Sequence, residues 1–353
     1  MKLGLGLYRH MLTRDNFRFA RQAGATHIVA HLVDYFAGAR ADDQPVGGDR
    51  GWGRAGDAQR LWTLEELTNL RREVNDAGLE LEAIENFDPA HWHDVLLDGP
   101  DKAQQLDNLK TIIRRVGQAG IPILGYNFSI AGVAGRVSGP FARGDAIAVG
   151  MDGPLDTPMP NGMVWNMVYD ERAATGMQRS ATTEELWQRL QEFLDAVIPV
   201  AEDAGVILAA HPDDPPTPTL CGQPRLVYQP HLYQRLIDLH PSRSNALEFC
   251  LGSIAEMTDG DVYEAVDRFS HQRKLAYVHF RNVRGKAPHY REAFVDDGDV
   301  DMIRVLKILK KNGYDGVLIP DHTPQMTCAA PWHAGMAFAM GYMRAALQAI
   351  EQV

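Results

Sequence analysis

Two histidines, a cysteine and an aspartate stand at matching points of four successive segments of this sequence. Ala-Ala-His211-Pro, Glu-Phe-Cys250-Leu, Tyr-Val-His279-Phe and Ile-Pro-Asp321-His322 each place a metal-competent side chain at the end of a short apolar run. Two imidazoles, a thiolate and a carboxylate form a mixed nitrogen, sulfur and oxygen donor set that suits a first-row divalent metal. Any one of the four, taken alone, reads as a packed core residue. Four such types at equivalent ends of consecutive units read as one site, provided the chain brings those ends around a common mouth.

The elements that must do so are legible as eight short apolar runs: Leu3–Tyr8, His27–Leu32, Leu79–Glu85, Ile121–Phe128, Val206–His211, Ala246–Leu251, Leu275–Phe280 and Gly316–Pro320. They are too short for helices, and most are apolar on both faces, as parallel strands covered by helices are. Amphipathic segments follow each one. Thr13 and the Thr63-to-Glu66 capping box open two of them, and Gln22-Ala23-Gly24, Asp76-Ala77-Gly78, Gln118-Ala119-Gly120, Asp203-Ala204-Gly205 and Lys311-Asn312-Gly313 close five. Eight strand–helix units predict a single α/β domain over 1–353, a closed (β/α)₈ TIM barrel whose catalytic face gathers the strand C-termini. A doubly wound sheet is the alternative, but it favours a glycine-rich turn after the first strand, and here that turn reads Tyr8-Arg9-His10-Met11-Leu12.

Two long insertions, 37–60 and 129–181, follow strands two and four and are read as lid or subunit-contact loops of a homo-oligomer, a dimer or larger. The 353 residues carry a formal charge of −11, which argues against a nucleic-acid surface. No apolar run is long enough to span a membrane, and the opening MKLGLGLYRHMLTRDNF lacks the apolar core of a signal peptide. Three widely spaced cysteines, Cys221, Cys250 and Cys328, form no disulfide framework, so a reducing, cytoplasmic setting is expected. The His91-Trp92-His93 run reads as a surface loop. Asp296, Asp297, Asp299 and Asp301 read as a helix N-terminus, and Met163, Trp165 and Met167 as an apolar anchor for the second insertion.

Several motifs resemble the D-mannonate dehydratases of the xylose-isomerase-like barrel superfamily. They are Glu85-Asn86, Tyr126-Asn127-Phe128, His-Pro-Asp-Asp-Pro-Pro (211–216), Val-His-Phe-Arg-Asn-Val (278–283), Gly-Asp-Val-Asp-Met (298–302) and Pro-Asp-His (320–322). The resemblance runs in order over almost the whole chain and is densest from residue 206 to 322. It implies a lyase that removes water from D-mannonate to give 2-dehydro-3-deoxy-D-gluconate, usually with Mn²⁺; Fe²⁺, Co²⁺ or Zn²⁺ also suit the donors. Its ligands match His211, Cys250, His279 and Asp321, and the histidine matching His322 acts there as acid or base.

The chemistry is consistent with that. Loss of water across C2 and C3 of a sugar acid requires removal of a weakly acidic proton beside a carboxylate, and protonation of the departing hydroxyl. His322 is the candidate for one transfer. Arg281 joins it in the catalytic set as a bidentate clamp for the substrate carboxylate. Tyr126, Asn127, Asn282 and Glu85 are the candidate substrate-binding residues.

The chain departs from the family around the substrate. Ser129-Ile-Ala-Gly follows the Tyr-Asn-Phe motif in place of a Trp-Arg-Thr-Asp-like run. Arg291 replaces a histidine before Glu292, Thr323 replaces a glycine after His322, and no clear counterpart of a C-terminal proton-transfer tyrosine is found near Trp332-His333. Metal binding is therefore expected more firmly than the particular substrate. A metal-dependent isomerase or epimerase on the same barrel is one alternative, disfavoured by the cysteine ligand; a sugar-acid-binding protein without turnover is another.

Overall fold

The computed structural model describes residues 1–36 and 53–351. Eight parallel strands close into a barrel: β1 (Lys2–Leu7), β2 (His27–His31), β3 (Glu80–Glu85), β4 (Ile123–Tyr126), β5 (Ile207–Ala210), β6 (Asn245–Cys250), β7 (Leu275–His279) and β8 (Val317–Ile319). Each pairs with its neighbours in sequence, and β8 returns to β1 through Lys2↔Val317 and Leu3↔Leu318. Closure excludes the doubly wound alternative. All but β3 end one or two residues earlier than their apolar runs, so Tyr8, Asn127, His211 and Asp321 stand just beyond the hydrogen-bonded ladder.

A helix follows each strand: α1 (Arg14–Gln22), α2 (Leu64–Asp76), α3 (Lys102–Gln118), α4 (Thr183–Ala204), α5 (Pro230–Leu239), α6 (Val262–His271), α7 (Met302–Lys311) and α8 (Pro331–Glu351). Thr63 with Glu66, and Thr182 with Glu185, form reciprocal capping boxes that satisfy amides left unpaired in the first turn. Asp301, from the acidic cluster, caps α7 by accepting from the Arg304 amide at 3.0 Å. Gly205 ends α4 at φ 68°, a conformation a side chain would strain.

Alternation along the strands sorts side chains into two sets. Outward residues such as Leu5, Ile28, Ile84, Leu124 and Leu208 pack beneath the helices. Inward residues Val29, Ala83, Ile123, Ala209, Val317 and Ile319 fill the barrel. Continuing the inward set toward the strand C-termini gives Tyr8, His31, Glu85, Asn127, His211, Cys250, His279 and Asp321, one from each strand. The mouth is thus a ring of eight polar or metal-competent groups over an apolar plug.

The insertions build on that mouth. Val137–Ala142 and Ala146–Asp152 form a hairpin after β4. It pairs, through Tyr290↔Met151 and Arg291↔Gly150, with a hairpin after β7 made of Asn282–Lys286 and His289–Ala293. Of the first insertion, 37–52 lie outside the described residues, and Gly53–Arg54 pairs with Met167–Val168 of the second. The His91-Trp92-His93 run is not a surface loop. His91 and Trp92 are buried, and His93 stacks on Tyr169 at 4.1 Å, because the chain turns inward here as a short helical stretch after β3.

Buried Arg225 ties the second insertion to the loop after β5. Its Nε lies 2.9 Å from Asp213, and its Nη1 donates to Ser129 Oγ at 3.1 Å. Arg225→Met leaves Asp213 buried without its cation and is expected to cost about 3–5 kcal/mol, measured as a shift in the urea midpoint at unchanged m-value.

Candidate metal centre

His211, Cys250 and His279 offer donor atoms that all lie within 4.8 Å of one another. Asp321 adds a carboxylate oxygen 3.4 Å from His279 Nδ1. Four adjacent strands therefore bring together the four residues picked out by their types and positions. The Pro212 carbonyl lies 2.7 Å from His211 Nδ1, which leaves Nε2 as the nitrogen that ring could offer a metal. The Ser253 amide, at the start of the short helix Leu251–Glu256, donates to Cys250 Sγ at 3.5 Å.

The donors fit a divalent cation. Both ring nitrogens of His279 are buried without a hydrogen-bond partner, an arrangement that native interiors avoid. Burial pushes the Cys250 thiol up, but Arg281 and the two imidazoles outweigh it and hold the thiol well below its usual range, in the thiolate form that a metal would require. Burial pushes His211 down, and its contact with the Cys250 thiolate more than reverses this, to about 9. The carboxyl of Glu85, destabilised by burial, is held at about 2 by His31 and His279.

Backbone conformation enlarges the ring at two points. Asp321 has φ 50° and Asn86 φ 67°, in the left-handed region that Asp and Asn tolerate better than other side chains. The turn breaks strand alternation, so two consecutive residues face the cavity at each place: Glu85 with Asn86, and Asp321 with His322. His322 Nδ1 lies 2.9 Å from Glu292 Oε1, while its Nε2 is 3.6 Å from Asp321. Burial opposes protonation of His322, and the Asp321 and Glu292 carboxylates raise its pKa nonetheless.

The cavity, about 490 Å³ and open at the mouth, has two unlike walls. One is aromatic: Tyr8 lies 4.9 Å from the His31 ring, Tyr35 stacks on Trp165 at 5.5 Å, and Asn86 donates to Tyr35 Oη at 3.0 Å. The other is charged and carries Arg136, Asp214, Asp321 and His322.

Glu85, Asn127 and His322 line this cavity. Three other expectations are corrected. Tyr126 has the opposite strand parity to Asn127 and packs outward, its ring 5.1 Å from Phe193 of α4. Asn282 is consumed by the backbone, donating to the Val295 and Val300 carbonyls at 3.1 and 2.9 Å and accepting from the Val283 and Val300 amides. Arg281 lies behind the ring rather than on the cavity, engaged with Asp214, Glu256 and Asp321 at 2.8, 2.7 and 3.1 Å. The guanidinium on the cavity wall is instead Arg136, from the second insertion. Neither it nor Glu292 was singled out, because both come from hairpins whose docking no local pattern announces. Tyr8 and Glu248 had a signal that went unused: each falls on the inward parity of an identified strand.

A closed parallel barrel with a convergent histidine, cysteine and aspartate set at its mouth defines a metal-dependent enzyme of the xylose-isomerase-like type. The sequence matches the family model described as D-mannonate dehydratase (UxuA) over residues 20–136 and 158–352, and the chain belongs to that family. It is 32% identical over 280 residues to the mannonate dehydratase of Streptococcus pneumoniae (strain 70585), covering 74% of this chain and 75% of that protein. Mannonate dehydratase 2 of Halalkalibacterium halodurans is 28% identical over 278 residues, 74% of this chain and 79% of that one. The crystal structure of mannonate dehydratase from Streptococcus suis serotype 2 superposes with a TM-score of 0.74 at 26% identity, over 99% of this chain and 93% of that one. L-ribulose 3-epimerase, at a TM-score of 0.56 and 14% identity over 99% of this chain and 96% of that one, shares the fold alone. The chain is a lyase, a metal-dependent sugar-acid dehydratase of the mannonate dehydratase family.

Metal uptake should depend on pH with a defined sign. Each imidazole must lose its proton to bind metal, and His211 stands at about 9 in the metal-free site. Affinity for Mn²⁺, measured by chelator competition, is expected to rise from pH 6 through about 9, since His279 is raised above its usual range as well. Metal addition to unbuffered protein at pH 7 should release protons.

Proposed function

We propose that the enzyme converts D-mannonate to 2-dehydro-3-deoxy-D-gluconate and water, with Mn²⁺ held by His211, Cys250, His279 and Asp321. The observation that carries this reading is the placing of three of those donors within 4.8 Å of one another, beside a cavity lined by His211 and His279 that also presents Arg136 and His322. The bound cation supplies Lewis acidity toward the substrate carboxylate and the adjacent hydroxyl.

The remaining work falls to side chains. Arg136 takes the carboxylate end, since it is the cavity's guanidinium and its fork suits two oxygens. Asn127 and Glu85 receive the chain hydroxyls on the ring of strand ends. The aromatic wall of Tyr8, Tyr35 and Trp165 packs against C–H faces and excludes water, which strengthens every charge interaction inside. With Nδ1 bonded to Glu292, His322 exchanges its proton with the substrate through Nε2. Arg281 holds Asp214, Glu256 and Asp321 in place and does not touch the substrate. Three free cysteines support a cytoplasmic location. Exposed Val137, Ile147 and Met177 of the second insertion support association into a homo-oligomer.

Mn²⁺-loaded enzyme incubated with D-mannonate should yield a 2-keto-3-deoxy acid that gives the periodate–thiobarbiturate colour. An isomerised product without that colour, or binding with no turnover of any aldonic acid, overturns the assignment.

Variants separate the roles. Asp321→Asn is expected to lose metal. His322→Asn should keep near-normal metal content and lower kcat by about 10² to 10⁴, the range for one general acid or base. Arg136→Met should act mainly on KM, by about 10- to 100-fold, as loss of one charged hydrogen-bonding partner predicts.

A further inference from the structure

Glu248 is the one acid on the inward face of β6 below the ring. It has no exposure, and neither of its oxygens has a hydrogen-bond partner. It lies in the layer filled elsewhere by Ala83, Ile123, Ala209 and Val317. It does not line the substrate cavity. A buried carboxyl is unfavourable in such a layer unless a partner compensates it, and the structure makes room for this one. A Cβ at Gly125 of β4 would come within 2.4 Å of Glu248 Oε2 and 2.8 Å of Tyr277 Oη. Glycine at 125 is thus the clearance that admits the carboxyl.

What Glu248 faces is His279. Its Oε1 lies 3.2 Å from His279 Nε2, and Glu85 Oε2 lies 3.4 Å from the same nitrogen. The other ring nitrogen, Nδ1, faces Asp321 at 3.4 Å. The two edges of the imidazole therefore meet different carboxylates: Glu248 and Glu85 at Nε2, the proposed ligand Asp321 at Nδ1. A ring can offer a lone pair on one edge only while its proton is held on the other. A carboxyl on the far nitrogen of a ligand histidine fixes both the tautomer and the ring's orientation.

We infer that Glu248 is a positioning residue: its carboxyl, 3.2 Å from Nε2 of His279, takes up the Nε2–H when metal binds and so presents Nδ1 to the metal. This rests on the ligand set proposed above. Glu248 acts through His279, and Gly125 is part of the same device. Stability by itself would favour an apolar residue at 248, so the acid is retained for the metal. The two effects of removing it should have opposite signs, which a packing role does not predict.

The test uses metal-stripped full-length protein titrated with Co²⁺, following the thiolate-to-cobalt absorption, alongside thermal unfolding of the stripped protein. Wild type, Glu248→Leu, Glu248→Gln and Cys250→Ser are compared. Glu248→Leu is expected to bind Co²⁺ about 10- to 100-fold more weakly, at one equivalent with the thiolate band retained, and to unfold at no lower temperature than wild type. Glu248→Gln keeps an acceptor oxygen and should recover part of the affinity; should the leucine variant fail to fold, Glu248→Ala replaces it. Wild-type affinity in the leucine or alanine variant overturns the inference. So does a second equivalent of metal that vanishes with Glu248, which would make this residue a ligand. Wild-type affinity in Cys250→Ser would instead remove the ligand set on which the inference stands.

Discussion

A guanidinium shut away from water holds the charged half of this mouth together. Arg281 contacts Asp214, Glu256 and Asp321 within 3.1 Å, reaches Ser253 at 3.1 Å, and lies 3.5 Å from Glu292. These partners come from the loop after β5, the helix Leu251–Glu256, the end of β8 and the hairpin after β7. A buried carboxylate without its cation costs several kcal/mol, so these segments cannot each find this arrangement alone. The packing is tight enough that a Cβ at Gly252 would come within 2.5 Å of the Arg281 side chain. Placement of the proposed ligand Asp321, and through Glu292 that of His322, follows from this one buried charge.

The other half of the site is built differently. Strands β1 to β3 contribute Tyr8, His31 and Glu85, and the second insertion adds Trp165. Rings face the metal-competent donors across one cavity. A small acid of several hydroxyls suits such a space, with charge at one end and C–H faces along its length. The apolar plug of Val29, Ala83, Ile123 and their neighbours closes the barrel beneath and leaves the mouth as the way in.

Much of this could be read from residue order because barrels impose strict rules. Eight apolar runs separated by helix-and-glycine punctuation fixed the strand count, and the strand ends located His211, Cys250, His279, Asp321 and His322. Parity explains the errors. Tyr126 and Asn127 are adjacent, yet only the second shares its face with Ile123. Arg281 has the right parity but lies two residues past the ladder, where neighbouring acids capture it. Side-chain type alone points Asn282 toward substrate, but its amide bonds two carbonyls of the following loop. Arg136 and Glu292 could not be found this way, since they reach the cavity through antiparallel pairing between two hairpins far apart in the chain.

The left-handed turns at Asn86 and Asp321 bear on how such an enzyme diversifies. Of the two acidic amino acids, aspartate is the one that commonly adopts that backbone conformation. A change from aspartate to glutamate, conservative by charge, is therefore not conservative at 321. Positions 8, 35 and 165 carry no requirement for a particular charge, and their rings touch the ligand space without holding the donors. Mutational drift can accumulate on that wall while the turns stay fixed. Lineages of this barrel are expected to exchange one sugar acid for another through their aromatic residues and to inherit the metal end unchanged.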